Sequence, residues 1–248
     1  MKMWTKYNKR ISICVVIIAL CISFAPCAFA GFGFSDDRFE TVDGVEYKFY
    51  SIIHNEDDDK IGYQTSLYPS TAETVEEGAM GVRARLYSSE GVLIASTTWD
   101  YNTFTDRQML LQSSTYKTSS GFYYSKGQVK LYNGKTYITY DSYATANFSP
   151  KNAPSPKEII VQRNEYGEIY GSEFILNEIG VQPDLILAKS ESGTIGYVRF
   201  EDVNADDALT PTDALEAMEN RTPRTIPVYK SDGRTIIGTF TIQCSEDE

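Results

Sequence analysis

Histidine is nearly absent from this chain: among 248 residues there is one, His54. The sets of His, Cys and carboxylate ligands that hold zinc therefore have too few members here. A Ser-His-acid or Cys-His pair would have to use that one imidazole, and no GxSxG stretch supplies a nucleophile elbow. Cysteine is scarce where it counts. Cys14, Cys21 and Cys27 precede Gly31, which leaves Cys244 alone in the rest of the chain. A disulfide framework within residues 31–248 is thereby excluded, and Cys244 reads as a strand-end thiol without an internal partner. Basic residues are also few, 23 Lys+Arg against 34 Asp+Glu. Such acidity argues against nucleic acid or an anionic lipid surface as partner.

The longest hydrophobic run lies at the start. Lys2, Lys6, Lys9 and Arg10 precede ISICVVIIALCISFA, and Ala28-Phe29-Ala30 closes the segment. A basic leader, an apolar run too short to span a bilayer and small residues at −3 and −1 predict a secretory signal peptide over residues 1–30. Neither Cys21, after Leu20, nor Cys27, after Pro26, has the small predecessor of a lipid-modified cysteine. The expected product is secreted and extracellular, with no membrane span after signal removal. Without those four basic residues the charge moves from −11 to −15.

What is abundant is the vocabulary of strands. From Phe39 to Phe148, short runs rich in Tyr, Val, Ile and Thr alternate with turn signals, the pattern of an antiparallel sandwich or barrel. Val45–Ile53 follows the turn Asp43-Gly44. Val82–Tyr87 meets Val92–Trp99 across SSEG, and Gln128–Tyr132 meets Lys135–Tyr143 across Asn133-Gly134, a pair whose two turn positions call for positive φ. FSPKNAPSPK, with Pro150, Pro154 and Pro156, cannot hold a ladder or a helix and reads as a linker. Beyond it come EIIVQ, IYGSEFILNE as short helix or strand, DLILAKS and IGYVRF. Thr210 as N-cap and Pro211 at the first helical position predict a helix to about Asn220. Asp232-Gly233 signals a last hairpin. The expected organisation is mainly β: an antiparallel β-sandwich domain over 31–148, a Pro-rich linker over 149–157 and a small α+β domain over 158–248.

The stretches GVRARLYSSEGVLIASTTWDYN and YYSKGQVKLYNGKTYITYDSY resemble the first half of uncharacterised secreted proteins of Gram-positive bacteria. YGSEF, PDLILA, GTIGYVRFEDV and RTIPVYKSDGRTIIGTFTI resemble the second half. The resemblance covers much of residues 31–248 and implies a domain layout, with no activity attached.

Chemistry has three candidate seats. In DVNADDALTPTD, oxygen side chains fall at positions 1, 3, 5, 9 and 12 (Asp202, Asn204, Asp206, Thr210 and Asp213), the ligand spacing of an EF-hand-type calcium loop. The stretch resembles half of a dockerin repeat, which would make Asp202, Asn204, Asp206 and Asp213 metal ligands in a calcium-stabilised docking module. It departs from that pattern in carrying Asp207 where the turn favours Gly, in lacking a second copy, and in ending on Asp rather than a bidentate Glu. The same residues also describe a polar connection followed by a Thr210–Asp213 cap. His54, before Glu56-Asp57-Asp58-Asp59, is either a general base among acids or a strand end entering an acidic turn, and the second reading explains it with less.

Aromatics are the third seat. Tyr137 and Tyr143 share strand parity while Tyr140 lies opposite, so both faces of that strand carry rings. One face serves the core, and the other would offer amphipathic rings to a sugar or peptide, although Tyr is also simply a good strand former. The residues expected to contact a ligand are Trp99, Tyr101 and Tyr140; no catalytic residue and no cofactor is assigned, calcium apart. The function expected is binding or interaction at the cell surface or in the medium, with an extracellular protein, peptide or carbohydrate as partner. The alternatives are a carboxylate-dependent extracellular hydrolase and the calcium-stabilised docking module.

Overall fold

A computed structural model describes residues 33–57, 59–71, 74–105, 109–118, 121–145, 159–205 and 208–244. The expected signal peptide, the Pro-rich linker and Asp206 lie outside the described residues. No helix among the described residues is long and apolar enough to cross a membrane.

The chain is mainly β, with mostly antiparallel sheets. Its first strands are β1 (Gly33–Phe34), β2 (Arg38–Val42), β3 (Val45–Asp57), β4 (Lys60–Pro69), β5 (Met80–Arg83), β6 (Arg85–Ser88), β7 (Leu93–Thr97), β8 (Asp100–Tyr101), β9 (Leu110–Lys117), β10 (Tyr123–Ser125), β11 (Gln128–Tyr132) and β12 (Tyr137–Asp141). After residue 158 come β13 (Gln162–Arg163), β14 (Ile169–Gly171), helix α1 (Glu173–Asn177), β15 (Leu185–Lys189), β16 (Ile195–Arg199), helices α2 (Phe200–Asn204) and α3 (Pro211–Glu219), β17 (Arg224–Tyr229) and β18 (Ile236–Gln243). The stretch IYGSEFILNE is both things at once, a strand through Gly171 and then a helix capped by Ser172, whose Oγ accepts from Ile175 N.

Turn chemistry sets the hairpins. At Asp43-Gly44 both residues have positive φ, 50° and 80°, which suits the right-handed twist of β2 and β3. Asn133-Gly134 works differently from the two-residue turn expected of it. Only Gly134 of the pair lies at positive φ, and Asn133 Oδ1 accepts from the amides of Lys135 and Thr136. The side chain builds its own turn, so β12 begins at Tyr137 rather than Lys135. Asp232 repeats the device, accepting from Arg234 N and Thr235 N.

Three sheets result. The first joins β1, β3, β4 and β9 in that order, with β2 also on β3; the second runs β12-β11-β5-β8; the third runs β10-β6-β7-β18-β17-β16-β15-β14-β13. In the third, β7 pairs in parallel with β18 through Ile242↔Ser96 and also with β15 through Ala188↔Leu93. The path β7-β18-β17-β16-β15 therefore returns to β7. Leu93, Ile186, Ala188, Val198, Val228, Phe240 and Ile242 are buried in one cluster there. A strand from the first half of the chain is thus built into the strands of the second, and the described residues form one compact unit.

Candidate functional site

Trp99 sits between β7 and β8 and is only 9% exposed. The guanidinium carbon of Arg83 lies 4.6 Å from its ring centroid and Lys130 Nζ 4.7 Å, so two cations lean on one indole. Tyr101 is more deeply buried, tilted against Trp99 and against Tyr137, and packs with Ala208 and Ala214 of the α3 region. Tyr140 is half-buried, tilted against Phe49, with Arg38 above its ring at 5.5 Å. The expected contact residues thus spend much of their ring surface inside the protein.

What two of them still share is a groove. Trp99 and Tyr140 line a cavity of about 660 Å³ between β11–β12 and the segments following α1 and α2. Tyr137 adds a third ring, and Lys130, Gln128, Asp141 and Asn177 add polar groups. Asp141 anchors the floor. Its Oδ1 accepts from Gln128 Nε2 at 2.7 Å, and its Oδ2 accepts from Asn177 Nδ2 at 3.0 Å with Lys126 Nζ at 3.3 Å. Burial pushes the Asp141 pKa up, but Lys126, the Gln128 hydrogen bond and the charge of Arg85 outweigh it and leave the carboxyl below its usual range.

Beneath the groove lies a buried polar network that the sequence reading did not pick out. Arg85 Nη1 donates to Glu173 Oε2, and Tyr87 Oη donates to the same oxygen at 3.0 Å. Arg83 donates to Gln128 Oε1, to the Val203 carbonyl and to Asn204 Oδ1. The signal was visible in VRARLY, where period-two alternation puts Arg83, Arg85 and Tyr87 on one face of a strand. A pair of arginines on the face of a strand bound for a sheet interior demands buried acceptors, and these come from 45 to 121 residues away.

The described residues of the expected calcium loop have hydrogen-bond partners or helix positions of their own. Asn204 Oδ1 accepts from Arg83 and Arg85 while its Nδ2 donates to the Phe200 carbonyl at 2.8 Å. Asp202 lies on α2, and Asp213 accepts from Thr210 N at 2.9 Å while Thr210 Oγ1 accepts from Asp213 N, a complete capping box. Among the described residues no three His, Cys, Asp or Glu side chains group as metal ligands. His54 pairs with Gly62 in the β3–β4 ladder, and its Nε2 meets Glu56 Oε2 at 2.9 Å, a local contact at the end of the hairpin.

No protein-family model matches the chain, and no match is found among curated proteins or solved structures. The fold and site define a mainly β protein with a ring-edged polar groove.

Proposed function

We propose that this is a secreted binding protein whose groove over Trp99 and Tyr140 takes a polyhydroxylated ligand, a glycan rather than an apolar molecule. The observation that carries the reading is the lining: the aromatic residues Trp99, Tyr137 and Tyr140 beside the polar residues Gln128, Thr139, Asn177 and Gln182 in a cavity of about 660 Å³. That volume falls within the usual range for small-ligand sites. Rings with an apolar body and polar neighbours suit the mixed surface of a sugar. The described lining includes a single carboxylate, Asp141, already bound by Gln128, Asn177 and Lys126. This favours binding over hydrolysis, which needs a second carboxyl group facing the first.

The finer fold reading belongs with this proposal. Phe49 and Leu67 of the first sheet are buried in one cluster with Met80, Val82, Val129 and Leu131 of the second, which supports a sandwich in residues 31–148. Residues 158–248 hold all three described helices and add six strands, in keeping with an α+β part.

The test is affinity electrophoresis of the protein in gels containing neutral or uronic-acid polysaccharides. Thr139 and Gln182 are exposed and line the groove, so Thr139→Arg with Gln182→Arg fills it without disturbing the core. Retardation by a polysaccharide, lost in the double variant at an unchanged thermal midpoint, is the expected result. Equal mobility in every gel, or retardation that survives the double variant, defeats the proposal.

A further inference from the structure

Strand β12 ends its sheet: in the order β12-β11-β5-β8 no described strand pairs with its outer side. Directly opposed residues of an antiparallel pair alternate between exchanging two hydrogen bonds and exchanging none. At one end of the β11–β12 ladder the Ser142 N–H donates to the Gly127 carbonyl at 2.9 Å, and at the other the Asn133 N–H donates to the Thr136 carbonyl at 3.1 Å. Both pairs share the register that sets Val129 against Tyr140 and Lys130 against Thr139. Counting by twos from either end, Ile138 and Tyr140 bond to β11, while Tyr137, Thr139 and Asp141 turn their N–H and C=O groups to the free side. Arg38 agrees with this alternation, since its Nη1 donates to the Asp141 carbonyl at 2.7 Å from a strand of another sheet.

That free edge opens on the groove. Tyr137, Thr139 and Asp141 share one face of β12 and Tyr140 stands on the other, yet all four line the cavity, as does Arg38. A space bounded by both faces of a strand lies against its edge. Thr139 is exposed there. Its N–H, its carbonyl and the Asp141 N–H have no hydrogen-bond partner among the described residues.

Several side chains around this edge are already engaged. Gln128 accepts from Arg83 and donates to Asp141. The Tyr137 hydroxyl donates to the Gly78 carbonyl at 2.6 Å, and Arg38 is held by Glu40. Asn177, at the end of α1 on the opposite wall, gives its Nδ2 to Asp141 Oδ2 and keeps Oδ1, which is an acceptor only. A trans secondary amide carries its N–H and its C=O on opposite sides. It therefore suits a groove with backbone N–H groups along one wall and a side-chain acceptor on the other. A sugar hydroxyl offers the edge little that water does not. An acetamido group brings a stronger acceptor, and a methyl for the rings of Trp99 and Tyr137.

We propose that the glycan held in this groove carries acetamido groups, as a polymer of N-acetyl amino sugars does, and that the free edge of β12 at Thr139 selects them. The inference rests on the glycan reading above and narrows it. The Thr139 N–H donates to the acetamido carbonyl, and the acetamido N–H turns toward Asn177.

The experiment is calorimetric titration with two tetrasaccharides of the same linkage, one of N-acetylglucosamine and one of glucose, which differ only in the acetamido group. The acetamido sugar should bind about tenfold more tightly, the effect of one net hydrogen bond. Thr139→Pro should bring the two to parity because it deletes the outward N–H, whereas Thr139→Val keeps that N–H and the preference. Proline is tolerated at an edge position whose N–H faces outward. The Thr139→Pro midpoint should therefore stay near the parent's, while that of Ile138→Pro, whose N–H is in the ladder, falls. If Thr139→Pro does not fold, amide hydrogen exchange at Thr139 decides instead: it is fast in the free protein and slowed by the acetamido sugar. Equal affinity for the two sugars, a preference that survives Thr139→Pro, or exchange that is not slowed overturns the inference and leaves the glycan reading standing. So does retardation by uronic-acid polysaccharides without binding of the acetamido sugar. Tighter binding of an N-acetyl tripeptide amide than of the sugar overturns it in favour of an added peptide strand. No binding of any glycan removes both readings.

Discussion

Arg85 and Glu173 meet across 2.8 Å with both side chains buried, 88 residues apart in sequence. Arg85 comes from β6, and Glu173 is the first residue of α1. One link of the chain fastens the other: Ser172, the cap of α1, also donates to the Gly91 carbonyl at 2.7 Å in the β6–β7 turn. A helix of five residues is too short to persist by itself, so these two contacts hold α1 where it can supply Asn177 to the groove.

Removing half of a buried pair strands the other half. Glu173→Gln should therefore destabilise the protein by about 3–5 kcal/mol, since Arg85 keeps its charge without a counter-ion. The pair Arg85→Met, Glu173→Leu should recover most of that loss, because apolar groups of similar volume need no partner. Urea unfolding of the three proteins decides the matter. A Glu173→Gln variant as stable as the parent would show that the contact carries little.

Some of this structure was legible from sequence, and the reasons are local. Thr210, Pro211 and Asp213 announce α3 because a cap involves neighbours within four residues. Asp43-Gly44 announces β2–β3 because positive φ is a property of the turn residues themselves. The spacing that suggested calcium in Asp202–Asp213 and the spacing that caps a helix are the same spacing, and pattern alone does not separate them. What stayed hidden was long-range. Nothing in VLIASTTW says that β7 will pair with β18, nor does the composition of VRARLY name Glu173 and Asn204 as the acceptors of its arginines. Trp99 was marked out by its ring, but its burial beneath Lys130 and beside Arg83 follows from strand order rather than from residue type.

If the Asp213 carboxylate serves the cap, the thermal midpoint should be the same in calcium and in EDTA. Thr210→Ala should cost about 1 kcal/mol through loss of the N-cap, in either solution. A rise of the midpoint in calcium that an Asp202→Ala, Asp206→Ala variant abolishes would establish the metal loop instead.

Gly127 is expected to tolerate no side chain. A Cβ there would lie 2.5 Å from the Arg83 carbonyl and closer still to Thr65 Oγ1, while the Gly127 amide is in hydrogen-bond contact with Ser51 Oγ and Ser142 Oγ at 3.0 Å. Backbone has nowhere to move between two sheets. Gly127→Ala should cost about 3 kcal/mol by overpacking, measured by urea unfolding, with Gly134→Ala as the contrast where no atom lies within 4 Å of the added Cβ and the strain is that of φ alone.

Acid should loosen the groove before it unfolds the protein. Asp141 in the folded state sits below its ordinary pKa: burial acts against this, and Lys126, Gln128 and Arg85 more than offset it. A depressed folded pKa contributes stability that is fully present above the unfolded value, about 3.9, and is lost as pH falls through the folded value. Asp232 follows the same sign in the β17–β18 turn, drawn down to about 2 chiefly by the Thr235 hydroxyl and then by backbone amides. Asp141→Asn should therefore flatten the acid limb of the stability curve below about pH 4. It should also leave Lys126 without its carboxylate at neutral pH, lowering the midpoint there. If the acid limbs of parent and variant run parallel down to pH 2, protonation of Asp141 is not what loosens the floor of the groove.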